Sequence, residues 1–182
     1  MTTPRFARIA SLLAAAAGCA GQSAYPGAPP RDQTVRQVEL FNANGEPAGT
    51  LRLLRTPDGA ALRLSVGGLT PGPHGIHFHA AGECKPPDFA SAGSHFNPGG
   101  KKHGLNNPEG PHAGDLPNLM IGTLGSADTT ITIATALIES GPGSLLQPGG
   151  ASVVVHAKED DQQTDPSGNS GERLACGVIR GT

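Results

Sequence analysis

The stretch from Lys85 to Asn118 holds six glycines and six prolines in 34 residues. Proline removes a backbone donor and glycine weakens regular structure, so this mixture fits neither a helix nor a central strand. Any fold of this chain must carry that segment as a long loop. Loops of this length inside a compact domain are usually either functional or disordered. The same stretch contains His95, His103, His112 and Asp115. Three imidazole nitrogens and one carboxylate oxygen complete a closed tetrahedral set, the geometry that zinc prefers. A metal would fix a loop that no hydrophobic pattern can, which favours the functional alternative.

Two further histidine groups flank this loop. In HGIHFH, successive strand side chains point to opposite faces, so His77 and His79 share one face and Phe78 takes the other. The pair lies about 7 Å apart along a strand and can close on one ion. Taken alone it is also compatible with a polar strand face, because imidazole is common both as a ligand and on surfaces. In ASVVVHAKEDD an apolar β-branched run ends in His156. A lone histidine at a strand end is more often structural, but His77, His79 and His156 together leave a copper-type nitrogen site one ligand short. His95 fills that gap if it bridges, with one ring nitrogen toward each metal.

The rest of the chain reads as short β-leaning runs at 34–42, 49–56, 60–66, 74–79, 119–125, 130–137, 151–157 and 174–179. Turn signals such as NANGEP, TPDG, LTPGP and QPGG separate them. No helical stretch of comparable strength competes, so the fold class is all-β. With no Trp, one Tyr and five Phe, the core must rest on Val, Leu and Ile.

Taken in chain order, HGIHFH, SAGSHFNP, KKHG, GPHAGDLPN, VVVHAKEDD and GNSGERLACGVI resemble the copper/zinc superoxide dismutases over residues 34–182. The resemblance implies an eight-stranded Greek-key β-barrel or sandwich with long metal-binding loops. It implies copper on His77, His79, His95 and His156, and zinc on His95, His103, His112 and Asp115. Asp160 resembles the carboxylate that hydrogen-bonds His77 and His103 from behind and fixes their rings. Arg173 resembles the arginine that sits over the copper and receives the anion, a task suited to a planar, permanently charged guanidinium. Cys84 and Cys176 occupy the positions of the family's disulfide, which would close a loop of about 90 residues and stabilise on the order of 4 to 5 kcal/mol on the chain-entropy model. His74 is assigned a structural place behind the strand.

Some family members have lost a metal ligand and the activity with it. Every ligand position is filled here, so the resemblance implies a working enzyme. It would dismute superoxide to oxygen and hydrogen peroxide by a copper(II)/copper(I) cycle, with His95 taking up and returning a proton and zinc as the structural partner. It also allows a homodimer. The rival from another class is an exported copper-binding protein without turnover. Storage would need the same copper histidines but neither the zinc set nor Asp160 nor Arg173.

Arg5 and Arg8 precede a short apolar run that ends in AAAAGCAG, which reads as a secretory signal over 1–19 and is too short to span a bilayer. Cys19 after Ala17 and Gly18 resembles a bacterial lipobox. Ala16 stands where leucine is usual, so ordinary cleavage after an alanine is the alternative. If Cys84 and Cys176 pair in an oxidising compartment, Cys19 is left odd and lipidation gives it a fate. Residues 20–33 are rich in Pro, Gly and Ala without periodicity and read as a flexible tether. The expectation is an exported protein of the periplasm or cell surface, touching membrane only through an N-terminal lipid anchor.

Charge is where the chain departs from better-known relatives. Without Arg5 and Arg8 the 13 basic residues become 11 against 15 acids, a net charge of minus 4, which repels superoxide unless cations cluster near the copper. Steering is therefore expected from Arg173 with Lys101, Lys102 or Lys158. No basic patch with interleaved aromatics supports nucleic-acid binding.

Overall fold

A computed structural model describes residues 32–181. The signal segment with Cys19, and the tether as far as residue 31, lie outside the described residues. Nine strands follow: β1 (Gln33–Asn42), β2 (Pro47–Thr56), β3 (Gly59–Gly67), β4 (Gly72–His74), β5 (Ile76–His79), β6 (Leu119–Ile121), β7 (Ser126–Ile133), β8 (Ala151–His156) and β9 (Arg173–Ile179). The only helical pieces among the described residues are 3-10 turns at Ala90–Ala92 and Thr135–Ile138. The all-β expectation holds.

Seven strands form one antiparallel sheet in the order β5-β8-β9-β1-β2-β3-β7, and β4 pairs with β6. The sheet curls on itself, since β4 runs on into β5 and the turn at 122–126 joins β6 to β7. Connections from β3 to β4 and from β7 to β8 link strands that are not neighbours, the mark of Greek-key wiring.

Alternation builds the core. In β3, Leu62, Leu64 and Val66 are buried while Arg63 and Ser65 face out, as a half-buried strand requires. Leu51 and Leu53 of β2 with Val38 and Leu40 of β1 complete that wall. The core is almost entirely Val, Leu, Ile and Ala, with Phe78 and Phe96 its aromatic members.

β8 is buried at all six positions because both of its faces are covered. Val153 and Val155 enter the barrel core. Val154 packs on the far side against Cys176, Phe89 and Ala92, with Cys84 at the edge. The Cys84–Cys176 bridge, with a Cα separation of 5.7 Å, fastens the start of the long loop to β9.

Three expected strands differ in detail. The run at 74–79 is two strands, because His74 pairs with Leu119 of β6 and Ile76 with Val155 of β8. The chain crosses between them at Gly75, where a Cβ would meet Ser170 at 2.8 Å. The run at 130–137 starts earlier, at Ser126, and ends at Ile133, opposite Ala60. Since β3 begins at Gly59, no partner extends further, and Leu137 and Ile138 turn inward to close the barrel end. The run at 119–125 keeps strand pairing only to Ile121.

Candidate metal centre

The pleat of β5 sends Ile76 and Phe78 into the core and turns His77 and His79 to the opposite face. There the long loop covers the open edge of β5. Phe78 N donates to Gly114 O at 2.9 Å, and Phe96 N donates to Phe78 O at 2.8 Å. Isolated bridges pair His77 with Asp115 and His79 with His95. Gly114 is required for this approach, since a Cβ would stand 2.4 Å from Phe78 O. His156 arrives from the end of β8, where its backbone N donates to Gly75 O at 2.8 Å.

The result is two adjoining donor sets. His77, His79, His95 and His156 form one, and His95, His103, His112 and Asp115 the other, with the donor atoms of each within 4.8 Å of one another. All seven residues are buried. His77 Nδ1, His79 Nε2, His95 Nε2 and His156 Nε2 are buried without any hydrogen-bond partner. A buried polar atom left unpaired costs about 1 to 3 kcal/mol. Four such nitrogens in one cluster are what a bound cation would satisfy.

In the second set, His95 Nδ1, His103 Nδ1 and His112 Nδ1 lie 3.0, 3.1 and 3.3 Å from Asp115 Oδ1. A tetrahedron with metal bonds of about 2.0 Å has edges of about 3.3 Å. Asp115 Oδ2 meanwhile accepts Gly104 N and His112 N, both at 2.9 Å, so one oxygen is anchored and the other presented. His95 gives a nitrogen to each set.

Outer contacts orient the rings. His77 Nε2 donates to Asp160 Oδ2 at 2.7 Å and His103 Nε2 to Asp160 Oδ1 at 3.0 Å. His79 Nδ1 donates to Gly93 O at 2.9 Å, and His156 Nδ1 to Gly171 O at 3.2 Å. Each leaves the opposite nitrogen free for a metal. Asp160 is itself held, as its N donates to Asn118 Oδ1 at 2.9 Å and Asn118 Nδ2 returns to Asp160 O at 2.8 Å.

These environments move the ionisations apart. Burial lowers His79 to about 2, and burial with the neighbouring His77 lowers His156 to about 3. Burial lowers His95 to about 4 against the opposing pull of Asp115. Burial also disfavours charge on His103, yet Asp115 and Asp160 outweigh it and raise that ring to about 9. Both carboxylates are pushed below their usual range, because the histidine hydrogen bonds overcome burial. The first set is thus neutral imidazole, the form that ligates metals.

Arg173 opens β9 beside the first set. Its Nη1 donates to Phe89 O and its Nη2 to Gly93 O, both at 2.7 Å. It faces a cleft of about 780 Å³ whose wall includes Asp88, Ser94, Gly171 and Glu172. No lysine lines that cleft. Lys102 is paired with Asp165 at 3.4 Å. His74 stands apart, with Nδ1 2.6 Å from His156 O and Nε2 2.9 Å from Thr70 O, as its structural assignment expected.

Residues 47–179 match the family model for copper/zinc superoxide dismutase. The chain belongs to the copper/zinc superoxide dismutase family. Superoxide dismutase [Cu-Zn] 2 of Aquifex aeolicus is 46% identical over 145 residues, 79% of this chain and 85% of that protein. The superoxide dismutase-like protein YojM of Bacillus subtilis is 38% identical over 177 residues, 91% and 90% of the two chains. A crystal structure of a double mutant of a SOD-like protein from Bacillus subtilis, with histidine replacing a tyrosine and a proline, superposes with a TM-score of 0.76. It is 41% identical and covers 80% of this chain and 97% of that one. The family uses copper and zinc, and the two donor sets fit one ion of each kind.

The roles of the Gly93 and Gly171 carbonyls, the Asn118 lock and Phe89 are not legible in the sequence. Backbone oxygens carry no side-chain signature. Asn118 closes the motif GPHAGDLPN, but nothing in the sequence says what it grips.

Proposed function

We propose that this protein is a superoxide dismutase that converts two superoxide anions and two protons to oxygen and hydrogen peroxide. The observation that carries this reading is the four partnerless histidine nitrogens beside Arg173. His77, His79, His95 and His156 would hold copper, and His95, His103, His112 and Asp115 would hold zinc. Copper held there would supply the one-electron couple that each superoxide needs. Arg173 receives the anion. Two hydrogen bonds to backbone carbonyls aim its guanidinium, and its remaining N–H groups are left for substrate. His95 Nε2 accepts a proton and returns it, while Nδ1 stays fixed at the zinc set. Asp160 keeps the rings of His77 and His103 in register.

Steering falls to cations outside the cleft wall. Lys158 is the best placed of the three lysines, because a side chain at Gly171, which lines the cleft, would touch its stem at 3.3 Å. Lys102 is engaged by Asp165. Export is supported by Arg5 and Arg8 and by the Cys84–Cys176 bridge, which suits an oxidising compartment. The odd Cys19 supports a lipid anchor.

A dismutation assay on protein loaded with copper and zinc, run beside His156→Ala, tests the reading. The loaded wild type is expected to turn over and the variant to lose most of its activity. An inactive loaded wild type would leave a copper-binding protein without turnover. An active His156→Ala would overturn the copper assignment.

A further inference from the structure

Five of the six histidines in the two donor sets have a settled place for both nitrogens. His77 and His103 share Asp160, His79 and His156 donate to backbone carbonyls, and His95 faces both sets. His112 is the exception. Its Nδ1 points to Asp115 and has no hydrogen-bond partner. If that nitrogen holds a metal, the proton must sit on Nε2, on the outer side of the ring.

The group that Nε2 meets is Asp165, whose Oδ1 lies 3.9 Å away. The same Oδ1 accepts the backbone N–H of His103 at 2.8 Å, and Oδ2 pairs with Lys102 Nζ at 3.4 Å. One carboxylate, carried on the segment between β8 and β9, therefore accepts the backbone of one residue of the zinc set, faces the ring of a second at 3.9 Å and pairs with the exposed Lys102. That segment also supplies Asp160 and the Gly171 carbonyl. It is itself folded tightly, with Gly168 N donating to Thr164 O at 2.7 Å and Asp161 N to Gly168 O at 2.9 Å, so Asp165 is presented from a fixed turn.

We propose that Asp165 is a positioning residue for the zinc set: its carboxylate is the outer partner of His112 and, through His103 N–H, fastens the segment before β9 to the metal loop. The proposal rests on the zinc assignment given above. Lys102 is then a counter-charge that holds the carboxylate in place more than a steering group. A carboxylate facing a ligating imidazole makes that imidazole more basic and fixes its ring, and losing such a partner typically costs 10- to 100-fold in metal affinity.

Asp165→Asn and Asp165→Ala separate the two halves of this role. Asparagine keeps an oxygen for His103 N–H but removes the charge, whereas alanine removes both. Zinc affinity of the full chain is measured by competition with a chromophoric chelator, and cobalt(II) placed in the zinc set is read by its visible d–d bands. Zinc affinity is expected to fall by about 10-fold or more in Asp165→Asn and further in Asp165→Ala, with shifted cobalt bands in both. Thermal melting of the metal-free Asp165→Asn is expected to match the wild type, which keeps a folding defect from mimicking the effect. Wild-type affinity and an unchanged cobalt spectrum in Asp165→Asn would overturn the partnership with His112. A wild type that takes up no zinc would instead overturn the zinc assignment.

Discussion

Arg173 Nη2 and His79 Nδ1 donate to the same oxygen, the carbonyl of Gly93, at 2.7 and 2.9 Å. One peptide group thus orients both the proposed anion receptor and a proposed copper ligand. Gly93 takes φ +74 to present it, a conformation glycine adopts without steric cost. The Cys84–Cys176 bridge holds the loop on which Gly93 sits.

Arg173→Lys separates charge from geometry. A lysine keeps the cation but cannot reach both Phe89 O and Gly93 O with a rigid fork. The dismutation rate of the copper- and zinc-loaded protein, followed by pulse radiolysis, is expected to fall by about 10-fold, with copper content retained. A rate equal to wild type would mean that charge alone suffices.

Gly168 has φ +62, and a Cβ there would lie 1.7 Å from Asp160 Oδ1 and 2.7 Å from His103 Nε2. Both are buried groups that cannot move aside without releasing a ring. Gly168→Ala is therefore expected to weaken zinc by about 10- to 100-fold, the range seen when an outer partner is lost. Gly45 has φ +78 and nothing within 4 Å. Gly45→Ala should cost only the left-handed backbone penalty, about 1 to 2 kcal/mol, and leave zinc affinity unchanged. The pair is compared by chelator competition and thermal melting.

How far the fold and site could be read from the chain depended on which physical signal each residue carried. The alternation in IHFH already placed His77 and His79 opposite Phe78, and the structure follows it, with Ile76 and Phe78 in the core and both histidines in the donor set. The density of Gly and Pro in the long loop likewise excluded strand or helix. Gly75 gave no such warning, because its break comes from a change of partner strand, which only the closed barrel defines. The same holds for Ile133, where strand pairing stops because β3 does. Asp165 sits in DQQTDPSG as an ordinary surface acid, and only the fold brings it to His112. Charge alone groups Lys102 with the steering cations, and its pairing with Asp165 is a product of the fold.

Acid should unfold the metal-free protein early. His79, His95 and His156 ionise at about 2, 4 and 3 when folded, because burial disfavours their charge, against about 6.5 when unfolded. The unfolded chain binds more protons below that value, so stability falls as pH drops from 6.5 toward 4. The slope approaches about 1.4 kcal/mol per pH unit for each such histidine. His103 works in the opposite sense. Raised to about 9, it stabilises fully below 6.5 and loses that contribution as pH climbs through 9. Denaturant titrations of the metal-free protein should thus show a maximum between the two limbs. Metal held by neutral imidazoles competes with protons, so loading should move the acid limb to lower pH. A metal-free protein equally stable at pH 7 and pH 4.5 would contradict the burial of these rings.

Lys158→Glu tests steering directly. Asp88 and Glu172 flank Arg173 in the cleft wall, so the local field depends on cations just outside it. Reversing Lys158 should lower the second-order rate by a few-fold up to about 10-fold at low salt and flatten its dependence on ionic strength, because screened attraction is what salt removes. Lys101→Glu, at a position with no ion-pair partner among the described residues, should produce the smaller change, because Lys158 and not Lys101 is the lysine that packs beside Gly171. Lys102→Glu would place a second acid against Asp165, so its effect should appear in zinc affinity before it appears in the rate. If Lys158→Glu changes neither the rate nor its salt dependence, Lys158 does not contribute to the field that draws superoxide to Arg173.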